Sequence, residues 1–200
     1  MSETLPVCRH WRAEHDKDGI LWLFIDRAGE AVNALSEEVL REFDALPGYA
    51  QKTPIKGLAI LSDKPSGFIL GADIREFDGF TDAAQVTASI EEVHDMFRKL
   101  EGLSCPTVAA FEGYCLGGGL ELALSCSYRI AKDIPSTKIG FPEVQLGIFP
   151  GFGGSARSVH QIGGLKAMEL MLSARQLGAR QARAAGLVDE VSGRHDELFW

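Results

Sequence analysis

Two glutamates in apolar, glycine-flanked segments are the residues best suited to chemistry. Glu121 lies among leucines in the segment LELAL, and Glu143 follows Pro142 in FPEVQLG. Burial raises the pKa of a carboxyl group toward the working range of a general acid or base. Such a pair can divide the work, one carboxyl activating water and the other moving a proton to carbon. Taken singly, each glutamate is better explained as a structural acid at a helix start, so only the pair is informative.

A run of three glycines, Gly117–Gly119, precedes the first of these glutamates. Glycines allow a sharp turn and a close approach of the backbone to a ligand. Where they lead into a helix, free N–H groups and the helix dipole can hold an anion or a developing oxyanion. A tight strand-to-helix turn without any ligand explains the glycines equally well.

A second glycine-rich segment matches the dinucleotide fingerprint G-x-G-x-x-A through Gly151, Gly153 and Ala156. The context is wrong for that function, because Pro150 precedes the segment in place of a clear strand. More helix follows instead of a second strand that ends in an acid. We therefore do not expect a nicotinamide site within this sequence.

Other common chemistries lack their motifs. The sequence has no G-x-S-x-G elbow of a serine hydrolase, and its histidines have no HExxH or paired metal spacing. His94 and His160 lie in helical patterns and are interpreted as packing or surface residues. Cys115 and Cys126 resemble small core residues. The sequence therefore predicts no metal site.

Composition limits the class of protein. The chain has 200 residues, a net charge of −8 and a pI near 5.1, which argue against general nucleic-acid binding. No apolar run reaches membrane-spanning length, and the first residues resemble no signal or transit peptide. Four cysteines without paired spacing indicate reduced thiols. We expect a cytoplasmic protein with a single domain over residues 1–200.

Hydrophobic periodicity predicts strands that alternate with helices, and hence an α/β fold. The predicted strands are Ile20–Asp26, Gly57–Leu61, Pro106–Phe111, Tyr128–Ala131 and Lys138–Phe141. The predicted helices run from a Ser36 cap to Pro47 and Gly48, then over Ala83–Leu100, within Gly113–Cys126, and over Gly154–Gln161, Leu165–Ala174 and Ala179–Ala185, with Gly186 at the last C-terminus.

With these residues in view, the sequence resembles the crotonase (enoyl-CoA hydratase/isomerase) superfamily from about residue 18 to 191. The motifs that carry the resemblance occur in family order: Asn33–Leu35, Gly71–Ile74, Cys115–Leu122, Phe141–Gly154 and Ala185–Glu190. The central stretch is most similar to the hydratase domain of multifunctional fatty-acid oxidation α-subunits. Ser127 departs from many stand-alone hydratases, which carry an aspartate at that position.

The resemblance implies a crotonase-like spiral of ββα units with helices packed outside, and a substrate carried as a coenzyme A thioester. By motif, it implies an oxyanion hole made by the backbone N–H groups of Ala72 and Gly118. It assigns Glu121 and Glu143 as catalytic residues for hydration, and Gly151 as the residue whose N–H holds the catalytic water.

The same resemblance implies substrate contacts at Gly71, Asp73, Arg75 and Gly117, with Arg75 placed to meet the phosphates of coenzyme A. It implies no cofactor and no metal, because coenzyme A is part of the substrate. It also implies a homo-oligomer, or a β-oxidation complex with a thiolase subunit if the full-length protein is longer.

Two alternatives stay open at this point. Glu143 alone could shuttle a proton in Δ3,Δ2-enoyl-CoA isomerisation, although isomerases often lack the first glutamate. An inactive interaction module could also keep this fold. Members of the superfamily usually continue for several more helices, whereas this sequence stops at Trp200. It is therefore expected to be a fragment of a longer fused enzyme.

Overall fold

The structure is a computed structural model that describes residues 5–79 and 81–193. The predicted domain limits at 1 and 200 lie outside the described residues. Six α-helices occur in them: α1 Glu37–Lys52, α2 Ala83–Glu101, α3 Gly118–Leu124, α4 Gly154–Ile162, α5 Gly164–Ser173 and α6 Ala179–Ala185. The strands are β1 Trp11–His15, β2 Ile20–Ile25, β3 Gly57–Ser62, β4 Thr107–Phe111, β5 Tyr114–Leu116, β6 Tyr128–Lys132, β7 Lys138–Gly140 and β8 Glu190–Ser192.

A six-stranded sheet forms the framework, in the order β1-β2-β3-β4-β6-β8. Only β1 is antiparallel to its neighbour, with Trp11 opposite Ile25. The five other strands run parallel, and β3 is buried on both faces, as expected when helices cover a parallel sheet. The predicted α/β class is therefore confirmed.

Each turn of the chain adds a strand to this large sheet, an extended segment to a smaller layer, and then a helix. The pattern is clearest for β4, β5 and α3, where β5 pairs with β7 in a separate parallel sheet. Isolated bridges extend the smaller layer, with Leu35 opposite Ala72 and Ile69 opposite Cys115. These repeats are the predicted spiral of ββα units. The junctions between the smaller layer and the helices of successive repeats therefore lie next to one another.

Local sequence explains most helix ends. Ser36 accepts a hydrogen bond from the N–H of Val39 and caps α1, as predicted. The prediction that Pro47 and Gly48 end α1 is wrong, because the helix continues through Pro47 to Lys52. The hydrogen bond that proline cannot donate is offset by burial of Tyr49 and Ala50 on the following turn.

Strand β1 is an element that the sequence analysis does not anticipate. Of its five residues only Trp11 is buried, so the period-2 pattern of a half-buried strand is weak. The Trp11 indole N–H donates to the carbonyl of Val39 at 3.0 Å, which ties this edge strand to α1. Tertiary contact, and not local pattern, makes this segment a strand.

Candidate active site

The amides of Ala72 and Gly118 lie next to each other. Leu35 bridges to Ala72 by bonding the carbonyl of Gly71 and the N–H of Asp73, at 2.9 and 3.0 Å. Since backbone groups alternate along an extended segment, the N–H of Ala72 points away from Leu35. A methyl carbon added at Gly118 would lie 3.3 Å from the Ala72 nitrogen. Two segments far apart in sequence thus present neighbouring amides.

The N–H of Gly118 belongs to the first turn of α3 and has no acceptor inside that helix. Gly117 precedes it with φ 50° and ψ −125°, a conformation that L side chains rarely adopt. A methyl carbon added at Gly117 would also come within 3.0 Å of Glu143 Oε1. The glycine run therefore brings the backbone close to both the second amide and the second glutamate.

Glu121 lies one turn into α3 and is 2% exposed. Its Oε1 accepts a hydrogen bond from the N–H of Gly154 at 2.8 Å. Burial raises the pKa of Glu121 to about 8, and the backbone N–H groups of Gly154 and Phe152 partly oppose that effect. The carboxyl group is therefore poised to exchange a proton near neutral pH.

Glu143 begins the 3₁₀ turn Glu143–Leu146 directly after β7 and Pro142, and it is buried. Burial raises the pKa of this carboxyl to about 7. Its Oε2 is buried and has no hydrogen-bond partner among the described residues. A buried oxygen without a partner is expensive, and such groups concentrate where a ligand completes them.

Glu143 acts electrostatically on Glu121. The charge of Glu143 raises the pKa of Glu121 beyond what burial alone would do. Two acids that interact strongly lose their protons in two steps that belong to the pair. Between about pH 7 and 8 the pair therefore holds one proton, mainly on Glu121, and supplies one acid and one base.

The loop before α4 forms the other wall of the site. Phe152 lies beside Gly118, because a methyl carbon added at Gly118 would be 3.2 Å from the Phe152 ring. The same addition at Gly154 would be 2.5 Å from Glu121 Cγ. The Phe152 carbonyl accepts from Arg157 Nη1 at 2.8 Å, and the Gly151 carbonyl lies 2.7 Å from Nε2 of His94. The His94 contact was not anticipated from its helical pattern.

Asp73 and Arg75 form an ion-pair cluster. The Asp73 side chain is 7% exposed and accepts from Arg75 Nε and Nη2 at 2.8 Å and from Arg27 Nη2 at 2.6 Å. These hydrogen bonds hold the pKa of Asp73 well below its usual range. Arg75 is exposed and also contacts Glu30. In this structure both residues brace the Ala72 segment, and their contacts with substrate stay predictions.

Asn33 is a supporting residue to which sequence reasoning gave no role of its own. Its side chain is buried; Nδ2 donates to the Phe68 carbonyl at 2.9 Å and to Ser62 Oγ at 2.8 Å, while Oδ1 accepts from the N–H of Arg27. It thereby joins β3 to the segment that carries Ala72. Its place in the motif Asn33–Leu35 was the only available signal.

The fold accounts for the segments considered for other chemistry, and the catalytic-water role expected of Gly151 stays a prediction. Gly151 and Gly153 lie in a turn between Pro150 and α4, and the element that precedes them is the 3₁₀ turn Glu143–Leu146 instead of the strand that a dinucleotide fingerprint requires. Ser127 exchanges hydrogen bonds with Thr107 at the start of β4. Cys115 and Cys126 are buried core residues, as interpreted from the sequence.

The fold and the site together define a class of protein: a ββα spiral with two neighbouring amides beside a buried acid pair. The sequence profile of the enoyl-CoA hydratase/isomerase family matches residues 16–199. The chain belongs to this family.

Relatives agree with this assignment. The chain is 41% identical over 175 residues to the fatty acid oxidation complex subunit alpha of Vibrio campbellii, covering 87% of this chain and 25% of that protein. The corresponding subunit of Shewanella amazonensis is 44% identical over the same coverage. The chain thus spans about a quarter of the length of these curated relatives.

Solved structures share the fold. The enoyl-CoA hydratase of Bacillus anthracis superposes with a TM-score of 0.83 at 28% identity, over 94% of this chain and 71% of that one. The enoyl-CoA hydratase of Thermoplasma volcanium gives 0.84 at 31% identity, over 92% and 71%. The predicted crotonase fold is therefore confirmed. Within the described residues, no helix combines the length and apolar character needed to cross a membrane.

Proposed function

We propose that this chain is an enoyl-CoA hydratase, which adds water across the double bond of a 2-enoyl-CoA thioester. One observation carries the proposal: two buried carboxyl groups, both with a raised pKa, lie beside the paired amides of Ala72 and Gly118. This arrangement brings a base, an acid and an oxyanion site together. Similarity to enoyl-CoA hydratase structures supports the same reaction.

In the proposed mechanism, the thioester oxygen accepts hydrogen bonds from the N–H groups of Ala72 and Gly118. These donors stabilise the negative charge that develops on oxygen when a nucleophile adds at the β-carbon. A single preorganised donor of this kind contributes on the order of 10²–10³ in rate. Since both donors are backbone groups, small residues at these positions leave space for the thioester.

Water addition uses the form of the acid pair in which the shared proton has moved from Glu121 to Glu143. Glu121, as the carboxylate, removes a proton from water while the water oxygen bonds to the β-carbon, and the N–H of Gly151 holds that water. Glu143, as the acid, gives its proton to the α-carbon. The pair keeps one proton throughout, because Glu121 gains one as Glu143 loses one. The steps require no metal or redox cofactor, and coenzyme A enters only as part of the substrate.

The proposal is tested by loss of the conjugated enoyl thioester absorbance with crotonyl-CoA and with a longer enoyl-CoA. Wild type is expected to hydrate at least one of them. Glu121→Gln and Glu143→Gln should each lose two or more orders of magnitude, roughly what a positioned acid or base supplies. Wild-type protein that binds the thioester without turnover would contradict the proposal and favour an interaction module.

A second candidate is Δ3,Δ2-enoyl-CoA isomerisation on the same site. The observation in its favour is the buried, unpartnered Oε2 of Glu143 among the described residues, which can carry a proton from one carbon to another. Turnover of a 3-enoyl-CoA should survive Glu121→Gln and fail in Glu143→Gln. Loss of isomerisation in both variants would assign Glu121 to it as well.

Assembly is proposed as a homo-oligomer, or as a complex with a thiolase subunit in a longer protein. The named relatives are α-subunits of a complex. Three apolar side chains at helical spacing on α5, Leu165, Met168 and Leu172, are exposed, as is usual at interaction surfaces. Sedimentation at several concentrations would reveal self-association. We also propose a cytoplasmic location, supported by four free cysteines and testable by cell fractionation.

A further inference from the structure

Arg157 is a cation in an unfavourable place. It is the fourth residue of α4 and lies close to the N-terminal end of that helix, where the helix dipole disfavours positive charge. Its side chain is only 17% exposed and folds back onto the loop that precedes the helix. Arg180 on α6, which also bonds a carboxylate through Nε, is 82% exposed. Specific contacts must therefore hold the Arg157 guanidinium in place.

The contacts of the guanidinium join the loop to helix α2. Its Nε donates to Oε1 of Glu101 at the end of α2, at 2.6 Å. Its Nη1 donates to the carbonyl of Phe152 at 2.8 Å. The guanidinium carbon also lies 5.7 Å from the centre of the Phe97 ring on α2, within the range of a cation–π interaction. Arg157 thus ties the loop before α4 to a neighbouring helix.

Arg157 bonds two successive peptide units of this loop. Its side chain bonds the carbonyl of the Phe152–Gly153 peptide, and its backbone N–H bonds the carbonyl of the Gly153–Gly154 peptide at 3.0 Å. The second peptide carries the Gly154 N–H, which donates to Oε1 of Glu121 at 2.8 Å. Because each peptide is planar, only the two backbone torsions of Gly153 separate them. Holding the first carbonyl therefore restricts the direction of the N–H that bonds Glu121.

Gly153 allows the guanidinium to approach the backbone closely. A methyl carbon added there would lie 2.3 Å from Nη1 of Arg157. The residue has φ 94°, a conformation that glycine adopts without strain. Glycine is also the residue with the greatest backbone freedom, so a contact from outside the loop is needed to hold one conformation. Arg157 supplies that contact.

We propose that Arg157, anchored by Glu101, is a positioning residue for the proposed hydration reaction, because it orients the Gly154 N–H that holds the Glu121 carboxylate. The catalytic consequence rests on the proposed function, whereas the hydrogen-bonded arrangement does not. Since the guanidinium contacts the loop and α2, we expect an effect on the chemical step and little effect on thioester affinity.

The first test compares kcat and KM for crotonyl-CoA hydration in Arg157→Met and Arg157→Lys. Methionine keeps an unbranched stem and removes the donors, whereas lysine keeps the charge without the planar fork. We expect kcat to fall roughly 10- to 100-fold in Arg157→Met, the scale of a misplaced catalytic group, with KM nearly unchanged. Arg157→Lys should recover part of the loss. Arg180→Met removes a comparable bond from Nε to a carboxylate and is the matched control, with unchanged kcat.

The pH dependence of kcat/KM is a readout that a purely structural role would not move. Two charged side chains act on the pKa of Glu121: Glu143 raises it and Arg157 lowers it. The Gly154 hydrogen bond also favours the ionised carboxylate. Arg157→Met should therefore raise the pKa of Glu121 and shift the alkaline limb of the profile to higher pH. Arg157→Lys, which keeps the charge, should shift it less. An alkaline limb that stays in place in Arg157→Met would contradict the proposed role.

Amide hydrogen exchange tests the arrangement without turnover. A buried N–H that donates a hydrogen bond exchanges slowly, and local opening of the loop exposes it to solvent. We expect exchange of the Gly154 N–H to accelerate roughly 10-fold or more in Arg157→Met and to stay unchanged in Arg180→Met. Thermal unfolding shows whether each variant is folded, and Arg157→Lys carries the comparison if Arg157→Met does not fold.

The outcomes separate the two proposals. Active wild type with unchanged kcat in Arg157→Met, or with a loss in KM alone, overturns the role of Arg157 and leaves the hydratase proposal standing. Inert wild type overturns the hydratase proposal, and exchange of the Gly154 N–H then decides whether Arg157 holds this loop. Unchanged exchange in Arg157→Met overturns the inference in either case.

Discussion

At the scale of single residues, the two glutamates differ in what surrounds their oxygens. Glu121 accepts a hydrogen bond from the N–H of Gly154, which favours its ionised form, whereas Oε2 of Glu143 has no partner among the described residues. Burial is nonetheless the largest influence on both, and it raises both pKa values above that of an ordinary glutamate. In the free protein the shared proton therefore lies mainly on Glu121, whose pKa is about 8 against about 7 for Glu143, and the hydrogen bond to Glu121 favours the minor form in which Glu121 is the base and Glu143 the acid.

The acid pair predicts a bell-shaped pH dependence of kcat/KM. Below about 7 both carboxyls are protonated and no base is present; above about 8 both are ionised and no acid is present. Hydration should therefore be fastest between these limits and fall on either side. Steady-state rates of wild type from acidic to alkaline pH test this, with buffers matched in ionic strength. A rate that is flat across that range would exclude the pair as the titrating groups.

Gly154 predicts a steric effect on a single side chain. A methyl carbon there would lie 2.5 Å from Glu121 Cγ, so Gly154→Ala must displace that carboxylate. Because a displacement near 1 Å can cost about 100-fold, we expect kcat to fall by one to two orders of magnitude in a folded protein. The same substitution at Gly164, where a methyl carbon meets nothing within 4 Å, should leave kcat unchanged. Equal activity of both variants would show that the pocket relaxes around the methyl group.

At the scale of elements, Asn33 joins the ends of strands to the segment that carries Ala72. Asn33→Ala leaves the Phe68 carbonyl and the Arg27 N–H without partners, at a cost of about 1–3 kcal/mol for each buried group. We expect both a lower free energy of unfolding and a lower kcat, since the Ala72 amide loses its support. Urea unfolding measures the first and hydration assays the second. Gln51→Ala, at an exposed position on α1, is the control. An Asn33→Ala protein that is destabilised but keeps full kcat would show that Asn33 stabilises the strands without supporting the Ala72 amide.

Element types were predictable wherever local chemistry decides them. Ala179–Ala185 has the predicted helical limits, and Gly186 takes the left-handed conformation expected after a helix. Helix limits that depend on packing were not predictable. Helix α1, for example, continues past Pro47. For the site, apolar neighbours correctly indicated raised pKa values for both glutamates. The contacts of Glu121 with the loop before α4 join residues more than thirty positions apart, and no local pattern carries that information.

At the scale of the whole molecule, the site opposes stability. Two carboxyls lie buried in the core, where their ionisation is costly. Asp73 acts in the opposite sense, because its ion pairs with Arg75 and Arg27 favour the ionised form. That contribution is present above the unfolded pKa of an aspartate and disappears as pH falls. The folded state is therefore weakened at both ends of the pH range, for different reasons.

The raised pKa of Glu121 predicts how the stability of the whole protein changes as pH rises. Folded Glu121 holds its proton to about pH 8, whereas an unfolded glutamate loses it near 4.5, so the folded state binds more protons between these values. The free energy of unfolding must then fall as pH rises through this window, by on the order of 1.4 kcal/mol for each pH step of one. Glu121→Gln removes the ionisation and should therefore gain stability relative to wild type across the same window, by several kcal/mol in total.

Urea unfolding at acidic, neutral and alkaline pH measures this gain, with Glu91→Gln at an exposed position on α2 as the control that should show none. A stability difference between Glu121→Gln and wild type that stays constant with pH would mean that Glu121 is ionised in the folded protein throughout. A difference that grows with pH would show that the fold carries the cost of keeping this carboxyl ready to exchange a proton.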